Sequence, residues 1–167
     1  MDEAATRDAL LAAVEDGAGR HSSLIVLDAA PLHSLWIARH LHLLLELDLT
    51  VAIPEAVRGI FAAHQDCRKG REVIAFLDRN TPPLEIRQIA LHEFYGHFGP
   101  PTDAAEPVPV FALVEAPPVW RCAKALQHVQ FVDVRDLAWV AEEAGLLESV
   151  HEIAHAIELP GEVHAWR

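Results

Sequence analysis

Ser23-Leu24-Ile25-Val26-Leu27-Asp28-Ala29-Ala30-Pro31-Leu32 is the stretch that most limits what this chain can fold into. A short unbroken run of Leu, Ile and Val offers no polar face, which suits a strand covered on both sides within a parallel sheet. The run ends in a single carboxylate, and small residues and a proline break it at once. In open α/β sheets ligands gather at the C-terminal ends of the strands, so an acid just past such a strand is placed to hold a cation or a polar substrate. The competing reading is that Asp28 only caps a helix starting near Pro31.

The rest of the chain repeats this unit. Asp2 to Val14 has helical spacing and is stopped by Gly17 and Gly19, so residues 1–22 form an N-terminal helical extension and 23–167 the domain proper. Pro31 to Leu47 reads as one helix with a broad apolar face, Leu49 to Ile53 as a second strand, and Pro54 opens a second helix in its tolerated first turn. A short helix over Gly70 to Leu77 and a strand over Leu84 to Leu91 follow, then a proline- and acid-rich surface loop from Gly99 to Pro109. Val110 to Val114 is a further buried strand ending at Glu115, and a short helix runs to Leu126. Val129 to Val132 is a strand ending at Asp133, followed by helices over Leu137 to Leu147 and Ser149 to Ile157. Strands alternating with helices predict an α/β domain with a central parallel sheet covered by helices.

Charge and composition narrow the functional classes. A net charge of −12, from 13 Lys and Arg against 25 Asp and Glu, argues against tight non-specific binding to polyanions, which depends on cationic side chains displacing counterions. It leaves room for a metal-dependent nuclease, where the cation supplies the positive charge. The longest apolar stretch, Leu41 to Ile53, is interrupted by His42, Glu46 and Asp48 and falls short of the ~20 residues of a membrane span. With a Met-Asp-Glu start and two cysteines, Cys67 and Cys122, in no framework or ligand spacing, the expectation is a cytoplasmic protein with reduced thiols and no membrane partner. There is no glycine-rich phosphate loop, no serine elbow and no local signature of a cysteine nucleophile.

Three strands are thus expected to end in Asp28, Glu115 and Asp133, and a parallel sheet brings successive strand ends to one edge. Converging carboxylates suit Mg²⁺ or Mn²⁺, hard cations that take oxygen ligands and can activate water against a phosphodiester. At these residues the chain resembles a known family. Ile25 to Leu32, followed by Val51 to Val57, is similar to the opening of a PIN domain, and Val73 to Asn80 and Arg135 to Leu146 are similar to later segments of PIN-like proteins encoded with plasmid-stability and toxin genes. The resemblance implies a three-layer α/β/α fold, RNA hydrolysis with Mg²⁺ or Mn²⁺, RNA and an antitoxin protein as partners, and a homodimer as the assembly to expect. It implies that Asp28 is the first acid and Glu115 a later one, with Asp103 or Glu106 as the middle acid and Asp133 as a further ligand. The chain departs from the family where a glutamate usually stands, offering Arg58, Gly59, Ile60 and Phe61, and Ala116 follows Glu115 where a second acid is common. A non-catalytic PIN-like binding protein is therefore the alternative.

A different metal chemistry is suggested by His151-Glu152-Ile153-Ala154-His155, an H-E-x-x-H pattern that places two histidines on one helix face with the glutamate as base for Zn²⁺. Its third ligand would have to come from the few residues that follow, where Gly161 stands in the metzincin-type third-histidine position and Glu158, Glu162 and His164 are very close. A helix carrying Val150, Ile153, Ala154 and Ile157 as its buried stripe would leave His151 and His155 beside that stripe. His92 and His97 form a second histidine-rich stretch that could join them in a structural zinc site.

Overall fold

Five strands pair into one all-parallel sheet in the order β3-β2-β1-β4-β5. They are β1 (Ser23–Val26), β2 (Thr50–Pro54), β3 (Glu85–Arg87), β4 (Val110–Leu113) and β5 (Val129–Val132). The computed structural model describes residues 3–15, 22–88, 109–115 and 129–158. Within these lie seven helices: α1 (Glu3–Glu15), α2 (Ala30–Ile37), α3 (Leu43–Glu46), α4 (Glu55–Ala62), α5 (Arg68–Arg79), α6 (Val134–Glu143) and α7 (Val150–Glu158). The architecture is the parallel sheet covered by helices that the alternation of elements predicts, in a three-layer α/β/α arrangement, and among the described residues no helix is long and apolar enough to cross a membrane.

The apolar run of β1 lies at the centre of the sheet because both of its faces are covered. Leu24 and Val26 belong to the larger core with Leu32, Leu35, Phe61, Leu113 and Leu137, whereas Ile25 belongs to a second core with Ala52, Ala112, Val114 and Val129. Alternate side chains of a strand point to opposite faces, so a run apolar at every position is satisfied only there. Leu24, Ile25 and Val26 are all fully buried.

Register decides what the strand ends present. Val26 pairs with Leu113 and Leu113 with Val132, so Asp28 and Glu115 each stand two residues past a matched pair, while Asp133 stands one residue past it. The first two share a level and a parity, and the third does not. β1 and β4 flank the point where the strand order reverses, since β1 continues to β2 on one side and to β4 on the other.

Several boundaries differ from the sequence reading. Pro31 to Leu47 is two helices, because Arg39 adopts a left-handed backbone (φ 61°) that ends α2, and a turn leads to the single-turn α3. α5 begins at Arg68 rather than Gly70, with Cys67 as its N-cap. A Cβ at position 70 would lie 2.0 Å from the carbonyl oxygen of His64, so Gly70 is what lets α5 pass the α4–α5 turn. α6 begins at Val134 rather than Leu137, since Asp133 and Asp136 build a capping box ahead of it. β3 ends at Arg87, and Ile89 to Leu91 lie outside the described residues. The N-terminal helix α1 packs on α6 and β5, where Arg7 pairs with the buried Asp136.

Candidate functional site

Asp28 leaves β1 and turns its carboxylate back on the backbone. Oδ1 accepts from Ala30 N–H at 2.8 Å, which starts α2, and Oδ2 accepts from Glu115 N–H at 3.1 Å on the neighbouring strand's exit. One side chain therefore caps the local turn and fastens the ends of β1 and β4 together. The helix cap expected of Asp28 is not what forms: the α2 N-cap is Ala29, without a side-chain cap, and the Asp28–Ala30 bond closes the turn ahead of it.

Glu115 is held from the opposite side. Its Oε2 accepts from Ser34 Oγ of α2 at 2.8 Å. Burial pushes its carboxyl above the usual glutamate range; the Ser34 hydrogen bond opposes this, the charges of Asp28 and Asp133 add to it, and Arg135 relieves it in small part. The carboxylates of Asp28, Glu115 and Asp133 thus share one electrostatic neighbourhood at the sheet's C-terminal edge. Ser34, for which the sequence carries no signal, sits in the second turn of α2, where its hydroxyl holds the Glu115 carboxylate.

Asp133 is committed elsewhere. Its Oδ1 accepts from Asp136 N–H at 2.8 Å while Asp136 Oδ2 accepts from Asp133 N–H at 3.2 Å, a reciprocal box in which each acid satisfies an orphan donor of the helix start. Glu115 lies between two openings. One, about 430 Å³, has His33, Ser34, Ile60 and His64 among its walls. The smaller, about 250 Å³, is bounded by Asp133, Arg135 and Ile157.

His33 is buried in the wall of the larger opening and meets Lys69, a buried lysine of α5. Lys69 Nζ donates to His33 Nε2 at 3.3 Å. Burial, and then the Lys69 charge, lower the imidazole from 6.5 to about 4, so His33 is neutral at physiological pH. The site is thus a carboxylate crevice with a neutral, hydrogen-bonding wall.

Asp103 and Glu106, the candidates for a middle acid, lie outside the described residues, as do His92, His97, Glu162 and His164. Arg58, standing where a family glutamate would be expected, pairs with Asp78 at 2.7 Å on the surface. Among the described residues no three His, Cys, Asp or Glu side chains are grouped closely enough to hold a metal ion by themselves. The H-E-x-x-H residues lie on α7, with Ile153 buried, Ala154 half-buried, and His151, Glu152 and His155 exposed. Val150 and Ile157 pack at the margin of the core. Glu152 is drawn to His40 Nε2 at 3.3 Å.

Compared with protein-family models, with curated proteins and with solved structures, the chain finds no match in any of the three.

Proposed function

We propose that the crevice between β1 and β4 binds Mg²⁺ or Mn²⁺ through Asp28 and Glu115 and hydrolyses RNA phosphodiesters. The observation that carries this reading is the Asp28 to Glu115 link: Oδ2 of the first acid lies 3.1 Å from the backbone nitrogen of the second, at the reversal point of a parallel sheet. Mg²⁺ is commonly held by one or two carboxylates and keeps several of its waters, so the pair suffices in number and in donor chemistry. When bound, such a cation supplies a Lewis acid for a phosphoryl oxygen and an acidified water.

The chain's own residues set the conditions. Two backbone N–H groups hold Asp28 in place, and Ser34 holds Glu115, so neither carboxylate must be ordered when a ligand arrives. Glu115 must lose its proton to become a ligand, and burial among like charges makes that loss harder. Cation binding is therefore expected to tighten as pH rises through the Glu115 titration. Neutral His33 adds no positive charge to compete with the cation.

A defined single-stranded RNA incubated with Mn²⁺ tests the reading. Cleavage by the wild type that a chelator stops, and that falls at least roughly tenfold in Asp28→Asn and Glu115→Gln, supports it. Cleavage that survives both substitutions, or no cleavage at all, removes it. The second outcome favours the non-catalytic binding protein, a reading that gains from the commitment of both Asp28 oxygens to backbone donors.

A further inference from the structure

A second cleft, about 530 Å³, opens between α2, the turn after it and α5. Ile37 lines both this cleft and the carboxylate crevice, so the two share a wall. The volume is within the range that encloses a small organic ligand.

Its lining combines an aromatic surface with cationic groups. Trp36 Nε1 donates to Glu72 Oε2 at 2.9 Å, and Arg68 Nε donates to Glu72 Oε1 at 2.7 Å, which fixes the indole within the cleft that Phe76 also lines. The Arg68 and then the Trp36 hydrogen bonds hold the Glu72 carboxyl below its usual range, so it stays ionised as the anchor of both. Arg39 is different. It is exposed, and among the described residues its guanidinium makes no hydrogen bond or ion pair. Its backbone is left-handed at φ 61°, a conformation that is costly for a residue with a Cβ and that a glycine would adopt freely. Arg39 and Arg68 against Glu72 leave a local positive excess on a chain of net charge −12.

The geometry points to a nucleotide subsite: the cleft takes one nucleotide of a single-stranded RNA, base against Trp36 and phosphate at Arg39, next to the crevice where the strand is cut. This rests on the ribonuclease reading above. Aromatic faces stack any base with little sequence preference, and a guanidinium offers planar paired donors to a phosphate. An otherwise acidic surface gains from confining positive charge to the path of the strand.

Binding of adenosine monophosphate and of ribose 5-phosphate, measured by calorimetry in a chelator, tests the subsite apart from the metal. The wild type is expected to bind adenosine monophosphate at millimolar concentration. Trp36→Leu weakens it roughly tenfold while leaving ribose 5-phosphate little changed, and Trp36→Phe restores much of the loss. Arg39→Gly weakens both ligands several-fold, with an unchanged or higher melting temperature because glycine accepts the left-handed backbone. No binding by the wild type at millimolar concentration, or variants that bind as it does, overturns the subsite. Mn²⁺-dependent cleavage without adenosine monophosphate binding removes the subsite alone. Adenosine monophosphate binding that responds to both variants, without cleavage, removes the ribonuclease reading and keeps the subsite.

Discussion

The starts of α2 and α6 are built from the same words and say different things. Each follows a buried parallel strand, and each has an aspartate at the junction. In α6 the third residue after Asp133 is Asp136, whose N–H returns to the Asp133 carboxylate and whose own carboxylate answers it. In α2 the N-cap is Ala29, which has no side-chain cap, and Asp28 stands one residue ahead of it. Asp28 Oδ1 takes the N–H of Ala30, and Oδ2 reaches across to the N–H of Glu115. The two strand-end acids thus differ by one position: Asp133 is the N-cap and closes a box on its own helix, whereas Asp28 stands before the N-cap and ties the turn to the neighbouring strand end.

Asp28→Ala gives the largest effect on this contrast. It leaves the N–H groups of Ala30 and Glu115 without their acceptor in a half-buried setting, and a loss of about 2–3 kcal/mol is expected by chemical denaturation. A loss no larger than that of a surface substitution would mean that the link between β1 and β4 holds nothing together. Asp133→Ala removes a helix cap and is expected to cost about 1 kcal/mol, with Mn²⁺ binding kept. If it removed Mn²⁺ binding as completely as a change at Glu115, the two aspartates would have one role and the contrast would fail.

Glu115→Gln gives the smallest change in stability, and its sign depends on pH. The folded carboxyl titrates above its unfolded value, so the wild type is favoured below the ordinary glutamate value of 4.5 and loses stability as pH rises through the folded value. Glutamine has no such loss. The variant is therefore expected to melt higher than the wild type at pH 8, with the gain shrinking to nothing as the pH is lowered past 4. A gain that grows in acid would show that the Glu115 charge is stabilised in the fold, contrary to its burial among carboxylates.

Much of this was legible in the residues and some was not. The strands β1, β2, β4 and β5 could be read because unbroken apolar runs have one stable place, inside a parallel sheet. Asp28 could be singled out for the same reason. The break after Ile37 could not, because the apolar spacing continues to Leu47 and the left-handed residue is an arginine rather than a glycine. The Asp133 box is written in the sequence as an acid three residues after another, a pattern that a strand-end acid shares with a ligand. Ser34 carries no signal without register, since only the pairing of Val26 with Leu113 brings Glu115 under α2. Lys69 is buried against His33 because tertiary packing, not local pattern, closes over it, so the sequence carries no sign of the pair.

The central claim is that Asp28 and Glu115 form one cation site and that Asp133 stands outside it. Calorimetric titration of Mn²⁺ into the wild type, Glu115→Gln and Asp133→Asn tests this most directly, since asparagine keeps the cap at position 133. The account predicts one bound Mn²⁺ in the wild type, its loss in Glu115→Gln, and its retention in Asp133→Asn. No Mn²⁺ binding by the wild type at millimolar concentration, or binding that Glu115→Gln leaves unchanged, would contradict it.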